Sequence, residues 1–168
     1  MTKKDHVKKK PQTVRVGIMT VSTTRSAAED KSGQWMKKQC EKEGHEIVDY
    51  RIVTDDRHEI TKSVSALIHR SRPDILLING GTGISPTDVT IEAISPLFVK
   101  EMTAFGALFA RLSFEQIDSA AILSRATAGI IGDTAVFCLP GSLRACKLAC
   151  IELILPEIGH IAAHLQTG

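Results

Sequence analysis

Long apolar runs are missing from this 168-residue chain. No stretch approaches the roughly 18 apolar positions that a membrane-spanning helix needs, so no membrane partner is expected. The first residues have neither the apolar core of a secretory signal nor the arginine–serine amphipathy of a transit peptide, and a cytoplasmic location is the expectation. No Cys-x-x-Cys pair occurs. Cys146 and Cys150 sit one helical turn apart, but no histidine or further cysteine lies at ligand spacing nearby, so these two with Cys40 and Cys138 are expected as small buried hydrophobes of a reducing compartment.

A basic body is missing too. Net charge is +2, yet the first ten residues hold five lysines against Asp5, so the remaining positions sum to slightly negative charge. Such a body offers no basic surface to nucleic acid, and none is expected as a partner. Residues 1–12 read as a flexible basic tail and 13–168 as a single domain, with no internal repeat or dividing linker. Two nucleotide motifs are excluded by counting. A Gly-x-Gly-x-x-Gly match from Gly81 needs glycine at the position of Pro86, and no lysine follows the glycines as a Walker A loop requires. Nothing resembles a Ser-His-Asp or Cys-His nucleophile arrangement.

What is present is strand–helix alternation. Val14–Val21, Ile47–Val53, Ile75–Ile78 and Val136–Leu139 are predominantly apolar runs without strict alternation, as expected of parallel strands buried on both faces. A helical period marks Ile60 to Ile68, Met102 to Leu112 and Leu148 to Leu165. Pro156 inside the last pattern predicts a kink or a new start there. The alternation predicts a three-layer α/β/α sandwich with a mostly parallel central sheet.

The strongest local signal is Gly80-Gly81-Thr82-Gly83, directly after the third aliphatic run. Such a turn can aim backbone N–H groups at phosphate oxygens, or can simply turn strand into helix. Ser85 and Pro86 predict the cap and first residue of a helix. Asp88 fits a capping box with Ser85, or a Mg²⁺ ligand beside a phosphate. Asp55-Asp56 after the second strand carries the same two alternatives. Pro140-Gly141-Ser142 after the fourth strand can cap a helix and offer a hydroxyl to phosphate. Ser22-Thr23-Thr24-Arg25 adds hydroxyls and a guanidinium at the same sheet edge. Glu157, His160 and His164 share one face of the terminal segment, a pattern that is usually solvent-facing.

Taken together, these segments resemble the molybdenum-cofactor biosynthesis family that includes MoaB, MogA and the G domain of gephyrin. The residues that carry the resemblance run from Val16-Gly17-Ile18-Met19-Thr20-Val21-Ser22 through Asp30-Lys31-Ser32-Gly33. They continue with Gly80–Gly83, Asp88-Val89-Thr90, Phe105-Gly106, Leu112-Ser113-Phe114, Leu123-Ser124-Arg125 and Pro140-Gly141-Ser142. The resemblance implies an α/β fold, commonly trimeric, that binds molybdopterin. It implies adenylylation of molybdopterin by ATP with Mg²⁺, releasing pyrophosphate, and work alongside other molybdenum-cofactor biosynthesis proteins. By the same resemblance Asp55 and Asp88 are the catalytic and metal-binding acids. Ser22 and Gly80 to Gly83 would hold phosphate, and Ser124, Arg125 and Pro140 to Ser142 the pterin or its phosphate. Thr87 and Leu143 depart from the family pattern, which commonly has arginine and proline there. That keeps a non-catalytic, molybdopterin-binding scaffold as the alternative, with a nucleotide hydrolase of the competence-damage type behind it.

Overall fold

The computed structural model describes residues 13–167, so the lysine-rich segment 1–12 lies outside the described residues. Six strands, β1 (Arg15–Val21), β2 (Glu46–Val53), β3 (Ile75–Asn79), β4 (Lys100–Glu101), β5 (Thr127–Ile131) and β6 (Thr134–Leu139), form one sheet. Their spatial order is β2-β1-β3-β6-β5-β4. The four aliphatic runs are the parallel strands β2, β1, β3 and β6; β5 and β4 are antiparallel and complete one edge. The helices are α1 (Lys31–Lys42), α2 (Arg57–Ser71), α3 (Thr90–Ile94), α4 (Thr103–Ile117), α5 (Leu143–Ala149) and α6 (Ile158–Gln166).

Successive strand residues feed two cores because side chains alternate across the sheet. Val16, Ile18, Ile75, Leu77 and Phe137 pack with Met36 of α1, Phe105 and Phe109 of α4, Cys146 of α5 and Ala162 of α6. Met19, Val21, Leu76, Ile78 and Val136 pack with Ile60, Val64 and Leu67 of α2 and Ile94 of α3. These two cores on either side of one sheet make the three-layer sandwich. Burial on both faces is why β3 and β6 carry apolar sequence almost throughout, whereas the edge strand β2 is half-buried and admits Asp49, Tyr50 and Arg51.

The chain breaks near Pro156 as its sequence predicts. A π-helical turn at Cys150–Ile154 ends the α5 segment, α6 begins at Ile158, and the two axes differ by 61°. Among the described residues no single helix is long and apolar enough to cross a membrane; only this bent pair passes, by length and composition together. Its apolar positions Cys146, Ala149, Ile154, Ile158 and Ala162 are buried in the first core.

Candidate functional site

The loops after β1, β2, β3 and β6 meet at the carboxyl ends of the parallel strands, where open α/β sheets hold ligands. Gly80 and Gly81 both have positive φ, 96° and 63°. A Cβ on Gly80 would overlap the Val21 carbonyl oxygen, and one on Gly141 would sit 3.2 Å from Gly80 Cα. Glycine at these two positions therefore lets the ends of β1, β3 and β6 close on one another. Behind them lies a cavity of about 410 Å³. The twelve residues to which the family resemblance assigns a role all line it: Ser22, Asp55, Gly80, Gly81, Thr82, Gly83, Asp88, Ser124, Arg125, Pro140, Gly141 and Ser142.

The turn is held by its carbonyls. Gly80 O accepts from Thr90 Oγ1 at 2.8 Å, Gly81 O from Thr90 N at 2.9 Å, and Thr82 O from Arg125 Nε at 2.9 Å. The N–H groups of Gly81, Thr82 and Gly83 have no hydrogen-bond partner among the described residues. Three successive donors in a cavity wall suit an anion, since each must find an acceptor in water or ligand.

The predicted helix start at Ser85 and Pro86 is not found. The helix begins at Thr90, without a side-chain cap. Thr90 is drawn back onto Gly80 and Gly81 by both its hydroxyl and its N–H, and the intervening residues form a loop. Asp88 still reaches Ser85 as a capping box would, accepting at Oδ2 from Ser85 N at 2.9 Å and Ser85 Oγ at 2.8 Å. The two neighbouring acids of the second loop divide their roles. Asp56 caps α2 by accepting from Glu59 N at 2.9 Å. Asp55 Oδ2 accepts from Thr23 N at 2.7 Å and Thr23 Oγ1 at 2.8 Å, and only Asp55 lines the cavity. In both Asp55 and Asp88 one oxygen is anchored, and Oδ1 has no hydrogen bond among the described residues. The glycines make room for both acids: a Cβ on Gly81 would lie 3.2 Å from Asp55 Oδ1, and one on Gly83 2.6 Å from Asp88 Oδ2.

Two arginines reach the cavity. Arg125 pairs with Glu92 through two hydrogen bonds of 2.7 and 3.0 Å. Those bonds hold the Glu92 carboxyl below its ordinary range and raise the guanidinium above its own. Arg25 Nη1 donates to Gly141 O at 3.2 Å. Ser22 Oγ accepts from Thr24 N at 3.3 Å and Arg25 N at 3.1 Å, and Ser142 Oγ caps α5 by accepting from Ala145 N at 3.2 Å.

A buried polar network, not foreseen in the sequence, stands behind the wall. Asp30, fully buried, accepts from Thr20 Oγ1 at 2.6 Å, Tyr50 OH at 2.7 Å and Gly33 N at 3.0 Å. Asn79 Nδ2 donates to Thr20 Oγ1 at 2.8 Å, while Asn79 Oδ1 is buried without a partner. Beside Asp30, Ser32 Oγ donates to Gly141 O at 2.9 Å, tying α1 to the cavity wall. The only sign of this in the sequence is the segment Asp30-Lys31-Ser32-Gly33, whose acid and glycine fit a helix start. Nothing in the sequence singles out Glu92, and Thr90 stands there only as the end of Asp88-Val89-Thr90.

Glu157, His160 and His164 stand away from the cavity on and beside α6, with His160 Nε2 2.9 Å from His164 Nε2. Among the described residues no group of three or more histidine, cysteine or acidic side chains is placed to hold a metal. Arg144 does not enter the cavity; it donates to Gln116 on α4. The four cysteines are buried, and burial pushes the thiols of Cys40, Cys138 and Cys146 up to about 12.

The architecture defines an α/β domain with a polar, glycine-walled cavity at the ends of its parallel strands. The match to a family described as "Probable molybdopterin binding domain" spans residues 17–160, so the chain belongs to the molybdenum cofactor biosynthesis proteins that carry this domain. It is 48% identical to Molybdenum cofactor biosynthesis protein B of Bacillus subtilis (strain 168) over 99% of this chain and 98% of that one. A crystal structure of a Molybdenum cofactor biosynthesis protein B superposes with a TM-score of 0.92 at 46% identity, covering 95% of this chain and all of the other. The tungsten cofactor synthesizing protein MoaB of Pyrococcus furiosus superposes with a TM-score of 0.84 at 40% identity, covering 93% and 99%.

Proposed function

We propose that this chain binds molybdopterin in the strand-end cavity and adenylylates it with Mg-ATP, releasing pyrophosphate. The observation that carries this reading is the pairing of three unsatisfied turn N–H groups with two carboxylates that each keep one oxygen disengaged. The donors suit phosphate oxygens, and the carboxylates suit a hard cation bound through oxygen.

In the proposed reaction a phosphate-monoester oxygen of molybdopterin attacks the α-phosphorus of ATP. The bond from that phosphorus to the α–β bridging oxygen breaks, and pyrophosphate departs with the electron pair. The monoester is already largely ionised near neutrality, with a second pKa of about 6, so no strong general base is required. The absence of a histidine from the cavity lining is consistent with that. Asp55 and Asp88 would hold Mg²⁺, which neutralises charge on the polyphosphate. The turn N–H groups orient phosphate oxygens in line. Thr23 and Ser85 fix the two acids through their anchored oxygens.

We also place the protein in the cytoplasm as a homotrimer, working with other proteins of cofactor assembly. The exposed apolar side chains Leu108 and Phe114 on α4, with Ile151 beyond α5, support self-association. A non-catalytic scaffold is the second reading, favoured by Thr87. Its hydroxyl lies 3.0 Å from Ser85 Oγ and adds no cation where many relatives carry arginine. Purified protein with Mg-ATP should release pyrophosphate only when molybdopterin is added, in step with adenylylated pterin. Tight pterin binding with no pyrophosphate at high protein concentration would instead establish the scaffold.

A further inference from the structure

The two arginines of the cavity are engaged in different ways. Arg125 is fully employed inside the protein. Its Nε donates to Thr82 O at 2.9 Å, and Nη1 and Nη2 grip Glu92 at 2.7 and 3.0 Å. Those partners lie at the two ends of the loop that carries Asp88, so the side chain straps residue 82 to residue 92. A fork-to-carboxylate pair of this kind is the strong, geometrically demanding type. Its charge is matched by Glu92 before any ligand arrives.

Arg25 has one side-chain hydrogen bond, from Nη1 to Gly141 O at 3.2 Å, and among the described residues no carboxylate lies within 4.0 Å of it. A guanidinium has five N–H donors, so most of this one's remain available. The neighbouring Ser22 hydroxyl accepts from two backbone N–H groups and keeps its own proton to donate. Arg25 also faces the Gly141 wall closely, its Nη atoms 3.6 and 3.7 Å from where a Gly141 Cβ would be. The cavity thus contains an uncompensated guanidinium, a hydroxyl donor and the three N–H groups of the turn.

We propose that Arg25 is the side chain that recognises the ligand's phosphate groups, and that Arg125 with Glu92 is a strap positioning the loop of Asp88. The proposal rests on the reading of the cavity as a phosphate-ligand site, and it departs from the family resemblance in giving Arg125 an internal task. Arg25 is within the segment Ser22–Arg25, which the sequence marks only as a donor-rich strand end.

The test is calorimetric titration of the purified full chain with inorganic pyrophosphate in excess Mg²⁺, alongside urea unfolding of each variant. Arg25→Ala should bind at least ~10-fold more weakly with an unchanged unfolding midpoint, the size expected for one charge-assisted hydrogen-bond partner. Arg25→Lys should recover part of that loss, because it keeps the charge but not the fork. Glu92→Gln should lower the unfolding midpoint yet bind pyrophosphate at least as well as wild type, since it relieves the cavity of one negative charge. Unchanged affinity in Arg25→Ala would overturn the proposal. So would Glu92→Gln binding as poorly as Arg25→Ala at an unmoved midpoint, because Arg125 would then be the recognising side chain. A folded wild type that binds no pyrophosphate has a different signature: it removes the phosphate-site reading, and this proposal with it.

Discussion

Replacing Gly81 with alanine should lower folding stability by about 2–5 kcal/mol, from two separable causes. The residue sits at φ 63°, where an L side chain costs roughly 1–2 kcal/mol. Its new Cβ would also overlap Thr90 Oγ1, which bonds Gly80 O at 2.8 Å in a fully buried position. Displacing that hydroxyl leaves a buried carbonyl short of its donor, a loss of about 1–3 kcal/mol. Gly132, in the turn between β5 and β6, is the matched control. Its φ is 57°, and nothing lies within 4 Å of an added Cβ. Gly132→Ala should therefore show the backbone cost alone. Urea unfolding of both variants at one pH isolates the steric part as their difference. The same cost should appear as a melting temperature lower by about 2–4 °C per kcal/mol. The new Cβ would also crowd Asp55 Oδ1 at 3.2 Å, so Gly81→Ala should weaken any function that needs that oxygen. Equal unfolding midpoints for the two variants would refute the packing assigned to the turn.

Asp56→Ala should destabilise the protein by about 1 kcal/mol through loss of the α2 cap, whereas Asp55→Ala leaves that cap intact and should affect function instead; urea midpoints beside pyrophosphate release separate the two. His45 accepts at Nδ1 from Val14 N at 3.4 Å, and burial holds its pKa below the ordinary 6.5, against an opposing pull from Glu43. The unfolded chain therefore binds a proton there before the native one does, so this contribution is complete above about pH 6.5 and is lost as pH falls below it. His45→Gln should flatten the dependence of the urea midpoint between pH 5 and 7, and an unaltered slope would contradict the assignment. All four cysteines should resist a thiol-specific reagent in native protein at pH 8 and react in denaturant, because they are buried and burial raises each pKa. A native thiol that reacts at the denatured rate would show that the core opens.

The parts of the fold that were legible from sequence are those where both faces are buried. Ile75-Leu76-Leu77-Ile78 can only be a strand covered on two sides, and β1 and β6 share that burial; β2, a half-buried edge strand, shows through the apolar pairs Ile47-Val48 and Ile52-Val53 at its two ends. The antiparallel edge was not read, because β4 is two exposed residues and β5 carries Gly129 in place of a large side chain. Helix α1 was missed for a related reason: its buried face is Ser32, Gly33, Met36 and Cys40, hardly an aliphatic stripe. In the cavity, the residue types and strand-end positions were enough to gather twelve residues into one place. What they did not resolve was the partner of each. Asp55 and Asp56 are adjacent and chemically identical, and only the β1 loop presenting Thr23 to one and the α2 N-terminus to the other separates them. The helix expected at Pro86 gave way to a loop because Thr90 is pinned to two carbonyls ten and nine residues upstream, contacts that no local pattern reveals.

On the proposed reading, molybdopterin and the nucleotide phosphates meet in the strand-end cavity. Backbone amide resonances of isotope-labelled protein, followed during titration with molybdopterin and Mg-ATP, would locate that meeting point. The largest shifts are expected at Gly81, Thr82, Gly83 and Arg25, with Asp55 and Asp88 following the addition of Mg²⁺. A separate groove of about 650 Å³ lies by Gln116, Arg144, Lys147 and Ile151. Shifts centred on those residues, with the Gly81 to Gly83 amides unmoved, would contradict it.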